Sequence, residues 1–191
     1  DGVAGLSGGH SSWLGKNALN NSVLISSTNL TGDDDIYIYG GIATENGSKA
    51  SSNSVTLNGV TAQNGIVYGG LGRGAASDNH VRLVGAASIL KSIAVGYSAG
   101  EMQGNRLDVA VAGNKTGSLG SVQSINFYVP GYSTESMLTL TDANAGNLSG
   151  VERIRTSLKA GGSFHAGDRI NLITCEACSL TLSSNLVKEK G

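Results

Sequence analysis

The chain has 191 residues and a formal net charge of −1, and its 13 Lys and Arg residues are scattered along the sequence. That scatter argues against nucleic-acid binding, which needs clustered cations, and no apolar run approaches the ~20 residues of a membrane-spanning helix. With 29 Gly, one Pro, 39% hydrophobic and 14% charged residues, the composition supports a core but few helices, and it predicts short strands with frequent turns in one large domain or a domain plus a cap. The chain opens at Asp1 without Met or a signal sequence, so it reads as a fragment excised from a longer protein.

In chain order, the first predicted strand is NSVLI at residues 21–25, followed by Asp33, Asp34 and Asp35 and a second strand, IYIYGG, ending at Gly41. The pair then recurs. NSVTL at 53–57 is followed by IVYGG ending at Gly70, NHVRL at 79–83 by IAVGY ending at Tyr97, and NRLDV at 105–109 by INFYVPG ending at Gly131. The step from Asn21 to Asn53 is longer than the two that follow, from Asn53 to Asn79 and from Asn79 to Asn105, and those two are equal. Each unit reads strand, turn, strand, glycine-rich loop.

Alternation in the Asn-led strands puts Val55, Leu57, Val81, Leu83, Leu107 and Val109 on one face. Ser54, Thr56, His80, Arg82, Arg106 and Asp108 lie on the other, with Arg82 neighbouring Asp108 and His80 neighbouring Arg106. One apolar face repeated at a near-fixed interval cannot be buried within its own unit and must stack on the next. The expected fold is therefore all-β: a parallel β-helix of about five to six coils at ~4.8 Å spacing. In that frame Asn21, Asn53, Asn79 and Asn105 stack at one corner as an amide ladder, with a polar ligand groove as the alternative. Beyond residue 136 the rhythm breaks, which divides the chain into a repeat-built helix over 1–136 and C-terminal capping coils over 137–191.

The segment MLTLTDANAGNLSGVERIRTSL, with SVQSINFYVP before it and AGDRINLI after it, resembles the distal passenger region of bacterial autotransporters (type V secretion), as do the YGG…N-x-V-x-L repeats. The resemblance covers most of residues 21 to 182. It implies a right-handed β-helix with a C-terminal cap, exported through the outer membrane and shown at the cell surface or shed. It also implies a non-enzymatic adhesion, self-association or stalk module that meets a host-cell, matrix or glycan surface or its own copies, often in virulence. The membrane would be met only through a C-terminal barrel absent from this sequence, and no cofactor is expected. The alternative is a polysaccharide-active β-helix enzyme, pectate-lyase-like or glycosidase-like, which needs carboxylates clustered across successive coils.

Several local patterns bear on chemistry. Gly70, Gly72 and Gly74 approach a dinucleotide fingerprint but lead into the strand NHVRL, not a helix; a coil-to-coil turn, with glycines in conformations other residues adopt poorly, is the expectation. Asp33, Asp34 and Asp35 read as a solvated turn or a Ca²⁺ site. Cys175 and Cys178 form a C-x-x-C pair without two further zinc ligands. In an exported protein they imply a disulfide closing a hairpin turn, with free thiols or redox chemistry as alternatives. His10, His80 and His165 lack a G-x-S-x-G elbow or any Ser tied to them, so no catalytic residue is assigned. Tyr39, Tyr68 and Tyr128 occupy similar places before the turn, with Tyr97 slightly later; they pack in the core or over a corner, or they form a ligand-binding stack.

Overall fold

The computed structural model describes residues 4–11 and 16–190. Among the described residues there is no helix, and every strand pairing is parallel. The chain coils into a β-solenoid of about five turns. It opens with β1 (Ala4–Ser7), β2 (His10–Ser11) and β3 (Ala18–Leu19). The following layers are β4 (Ser22–Leu30), β5 (Ile36–Ala43) and β6 (Ala50–Ser51); β7 (Ser54–Ala62) and β8 (Gly65–Gly72); and β9 (His80–Leu83) and β10 (Ser88–Tyr97). Then come β11 (Arg106–Val109) and β12 (Asn114–Gly120), followed by β13 (Ser124–Val129), β14 (Leu138–Leu140) and β15 (Asn147–Leu148). The last layer holds β16 (Arg153–Leu158), β17 (Ile173–Cys175) and β18 (Thr181–Leu182), with β19 (Val187–Lys190) laid beside β16.

The first face stacks β4, β7, β9, β11, β13, β16 and β19. Its register aligns Val55, Val81, Leu107 and Ile125 in one inward column and Leu57, Leu83, Val109 and Phe127 in the next. All eight side chains are at most 1% exposed, and burial of each contributes roughly 1.5–3 kcal/mol. This is the alternation the sequence predicts. At the end of the stack β19 places Lys188 and Lys190 in the inward columns, beside Ile154 and Thr156. Charged side chains there interrupt the apolar columns.

The second face stacks β5, β8, β10 and β12, with Ile38, Val67 and Ile93 buried in register. Between the second face and the next Asn-led strand lies a corner that explains two sequence periodicities together. Asn53 Oδ1 accepts the Asn21 backbone N–H at 3.0 Å, Asn79 Oδ1 accepts that of Asn53 at 3.0 Å, and Asn105 Oδ1 accepts that of Asn79 at 3.0 Å. The side-chain amides of Asn53, Asn79 and Asn105 donate in turn to the carbonyls of Ala18, Ala50 and Ala76. Asn53, Asn79 and Asn105 are at most 1% exposed, and among the described residues every buried side-chain N or O has a partner.

This corner also accounts for the glycines, and it corrects the expectation about them. Gly69 and Gly70 lie within β8, not in a loop, and neither has a positive φ. A methyl group at Gly70 would sit 2.5 Å from Asn79 Oδ1 and 2.6 Å from the Ala50 carbonyl oxygen. Gly70 is required by close approach of the amide ladder, not by a conformation closed to other residues.

Three further expectations are corrected. First, the regular spacing ends before residue 136: Arg106 pairs with Ser124 and Ser124 with Arg153, a short step along the chain followed by a long one. The connection from β12 to β13 is residues 121–123, whereas β10 to β11 takes 98–105. Second, INFYV is consequently a first-face strand, not a fourth second-face strand: Ile125 pairs with Leu107 and Phe127 with Val109. Third, Cys175 and Cys178 are joined as a disulfide, Cα atoms 5.4 Å apart, at a corner and not in a hairpin. The strands flanking it, β17 and β18, pair in parallel with β14 and β15.

Candidate functional site

The outer side of the first face concentrates the polar chemistry. In register, one outward column runs Ser54, His80, Arg106, Ser124 and Arg153, and its neighbour runs Thr56, Arg82, Asp108, Asn126 and Arg155. Strand alternation turns all of them away from the core.

Asp108 is the hub of this surface. It is 4% exposed although it points outward, because longer side chains from adjacent strands close over it. His80 Nε2 lies 2.9 Å from Asp108 Oδ2, Arg106 Nε 3.2 Å from Oδ1, and Asn126 Nδ2 donates to Oδ1 at 2.9 Å. Arg82 Nε is more distant, 3.9 Å from Oδ2. Burial disfavours the anion, but the hydrogen bonds from His80 and Asn126 and the charges of His80 and Arg106 outweigh it, so the carboxyl is held below its usual range. A general acid needs the opposite shift; Asp108 is a buried counter-ion that organises the cations around it. The neighbours expected from the sequence, Arg82 with Asp108 and His80 with Arg106, are both present, but the contact of His80 Nε2 with Asp108 Oδ2 is a diagonal across columns and strands that column-by-column reading missed.

Beside these columns the corner opens into two polar recesses that share Gly104 in their walls. One, of about 370 Å³, is lined by Ser54, Asp78, His80 and Arg106 among others. The second, of about 600 Å³, continues past Ser124, Glu152 and Arg153. Together they run parallel to the solenoid axis.

The tyrosines sit on the outer side of the second face. Tyr37, Tyr39 and Tyr68 alternate with the buried Ile36, Ile38 and Val67. Tyr37 stacks on Tyr39 with centroids 5.9 Å apart, Tyr39 on Tyr68 at 5.4 Å, and Tyr97 meets Tyr68 edge-on at 5.6 Å. Tyr128 is not part of the stack; it lies on β13 beside Ser157. Parallel stacking turns the ring faces of Tyr39 and Tyr68 toward each other and leaves edges and hydroxyls outside. Burial and the adjacent phenols Tyr68 and Tyr37 push the Tyr39 hydroxyl up to about 12. Tyr68 is raised as well, chiefly by burial.

Asp35 belongs to this second face. The connection from β4 to β5 is residues 31–35, against 63–64 between β7 and β8, so the Asp cluster rides on an inserted turn. Asp35 pairs with Lys91 across the layers and accepts a hydrogen bond from the Tyr37 hydroxyl at 3.3 Å. The Lys91 hydrogen bond, first among the causes, holds its carboxyl below the usual value. Among the described residues no three His, Cys, Asp or Glu side chains converge as a metal site would require. His165 lies in an exposed turn whose backbone N–H is held by Asp168 Oδ2 at 2.7 Å, and His10 lies on β2.

Comparisons with models of protein families, with curated proteins and with solved structures found no match for this chain. One functional feature missed in the sequence had a signal available: Gln123 continues the ladder, its Oε1 accepting the Asn105 N–H at 3.0 Å. An amide directly before the apolar alternation of Ile125 and Phe127 marks it.

Proposed function

We propose that the chain is a stretch of exported β-helix, similar in kind to the passengers of bacterial autotransporters, that works without catalysis as an adhesive stalk. It presents its flat faces at the cell surface, or in shed form, to a host, matrix or glycan surface or to copies of itself. The observation that carries this reading is the uninterrupted register of the outer columns on the first face. A side chain at one position recurs as a row along the axis, which suits recognition of an extended partner. The Asn ladder supports the same reading, since amides bonded from layer to layer make the rod stiff.

The test is adhesion by the isolated protein. Beads coated with it should bind immobilised matrix or glycan surfaces, or one another, above the level of beads coated with an unrelated protein of equal charge. Failure to adhere to any of these surfaces refutes the proposal. Release of new reducing or unsaturated ends from polysaccharides would replace it with the enzymatic alternative.

A further inference from the structure

The arginines are distributed unevenly. Four of the chain's six, Arg82, Arg106, Arg153 and Arg155, stand in the two outward columns of the first face. The side chains of Arg82, Arg106 and Arg153 are 49%, 46% and 58% exposed, whereas that of the counter-ion Asp108 is 5% exposed. Positive heads therefore lie at the surface above a buried negative charge. Arg153 reaches Glu189 at 3.3 Å, and Arg155 has no ion-pair partner among the described residues.

The register sets their spacing. Arg106 and Arg153 are two strands apart in one column and Arg82 and Arg155 three strands apart in the other, about 10 and 14 Å at ~4.8 Å per strand. The columns are two residues apart along each strand, about 7 Å. Four guanidinium groups thus form a narrow double row along the axis, flanked by the polar recess that passes Ser124.

We propose that this double row binds a sulfated polysaccharide laid along the solenoid axis. The inference rests on the adhesive reading above and names the ligand class for it. All four cations are Arg, whose planar fork binds oxyanions through paired hydrogen bonds. A sulfate ester offers three acceptor oxygens and can engage both columns at once. A carboxylate offers two, and carboxylates already serve Arg106 and Arg153 as internal partners. Between the arginines stand Ser124 and Asn126, which suit sugar hydroxyls. Single-stranded nucleic acid would call for a series of aromatic side chains on which successive bases stack; the two columns hold none, and Tyr128, two residues beyond Asn126 on the same outward face of β13, stands outside both.

The experiment measures binding to immobilised heparin as the sulfated probe, with polygalacturonate, dextran and single-stranded DNA in parallel, at physiological salt. Wild-type protein binds heparin in preference to the other three. The double variant Arg82→Gln/Arg155→Gln binds about tenfold more weakly, the loss expected for two charge-assisted contacts. The control Arg73→Gln/Arg169→Gln, with equal charge loss outside the columns, changes binding less than about twofold. Arg155→Gln alone breaks no ion pair among the described residues and shows an intermediate loss even if the double variant folds poorly. Equal loss in the two double variants, or equal binding to polygalacturonate, dextran or DNA, overturns the proposal. If heparin is not bound while coated beads still adhere elsewhere, the ligand class fails and the adhesive reading stands; if neither occurs, both fail.

Discussion

Truncating one rung in the middle of the amide ladder, Asn79→Ala, is expected to be among the most damaging single substitutions in the chain. Asn79 Oδ1 accepts both the backbone N–H and the side-chain amide of Asn53, at 3.0 and 3.1 Å. Its own amide donates to the Ala50 carbonyl at 2.9 Å and to Asn105 Oδ1 at 3.2 Å. Removal strands the Asn53 N–H and the Ala50 carbonyl in a corner where Asn53, Asn79 and Ala50 are at most 1% exposed. At about 1–3 kcal/mol for each unsatisfied buried group, the loss is about 2–6 kcal/mol, a large part of the roughly 5–15 kcal/mol typical of a domain. Asn21→Ala makes the comparison. Asn21 is only half-buried, and the two bonds it gives, to Asn53 Oδ1, leave the backbone one intact on truncation. Its loss is about 1 kcal/mol. Urea denaturation followed by far-ultraviolet circular dichroism measures both. Asn79→Asp keeps the shape but turns a second acceptor toward Ala50 and Asn105, so it should be at least as damaging at pH 7. Equal losses in Asn79→Ala and Asn21→Ala, or a loss under about 1 kcal/mol at Asn79, would show that the ladder does not hold the coils together as argued.

Three other outcomes follow from the charges, the phenols and the cysteines. The folded carboxyl of Asp108 titrates below its unfolded value, so its contribution is present above pH ~3.9 and is lost as pH falls through the folded value. Melting temperatures should therefore drop in acid less steeply for Asp108→Asn than for wild type, and identical pH profiles would contradict this. Tyr39 titrates at about 12 against an ordinary value of 10.0, so stability should decline as pH rises from about 10 to about 12. Ultraviolet titration of phenolate should show a late-ionising tyrosine that moves to lower pH in Tyr68→Ala; an unmoved titration would refute the stacking argument. Cys175 and Cys178 should resist thiol labelling without reductant, and because the bridge closes so short a loop its reduction should destabilise by no more than about 2 kcal/mol. Ready labelling of the unreduced protein would contradict the disulfide.

Much of the fold was legible because the first face obeys simple rules. Alternation assigned Val55, Val81 and Leu107 to the core, and the equal intervals from Asn53 to Asn79 and from Asn79 to Asn105 aligned them, since in a parallel stack the same sequence position recurs on every layer. The reading failed where the interval changed. With residues 121–123 replacing a longer corner, INFYV moved to the first face, and Tyr128 left the company of Tyr39 and Tyr68. A spacing rule cannot see a shortened corner, because apolar alternation suits strands on either face equally well.

The Asp108 cluster was half legible for a related reason. Column neighbours follow from register, and Arg82 and Arg106 were placed correctly beside Asp108 and His80. The diagonal from His80 to Asp108 depends on rotamers and on which long side chain covers which short one, and these are settled only by three-dimensional packing. The second face was ambiguous in sequence, with Tyr and Ile alternating as two apolar sets. The structure turned Ile38 inward and Tyr39 outward; an outward Tyr39 keeps its hydroxyl at the surface, whereas an inward one would bury that polar group in an apolar core.

A repeating, all-β, parallel stack with an apolar first face and a leading amide on each coil could be read directly from the order of the residues. Those features are periodic, and periodicity survives projection onto one dimension. What the glycines are for emerged only from the folded chain: Gly70 reads in sequence as a flexible turn and proves to be a strand residue emptied to admit Asn79. Close approach between residues on different layers is a matter of distance, and distance across a stack is not written in the order of the residues.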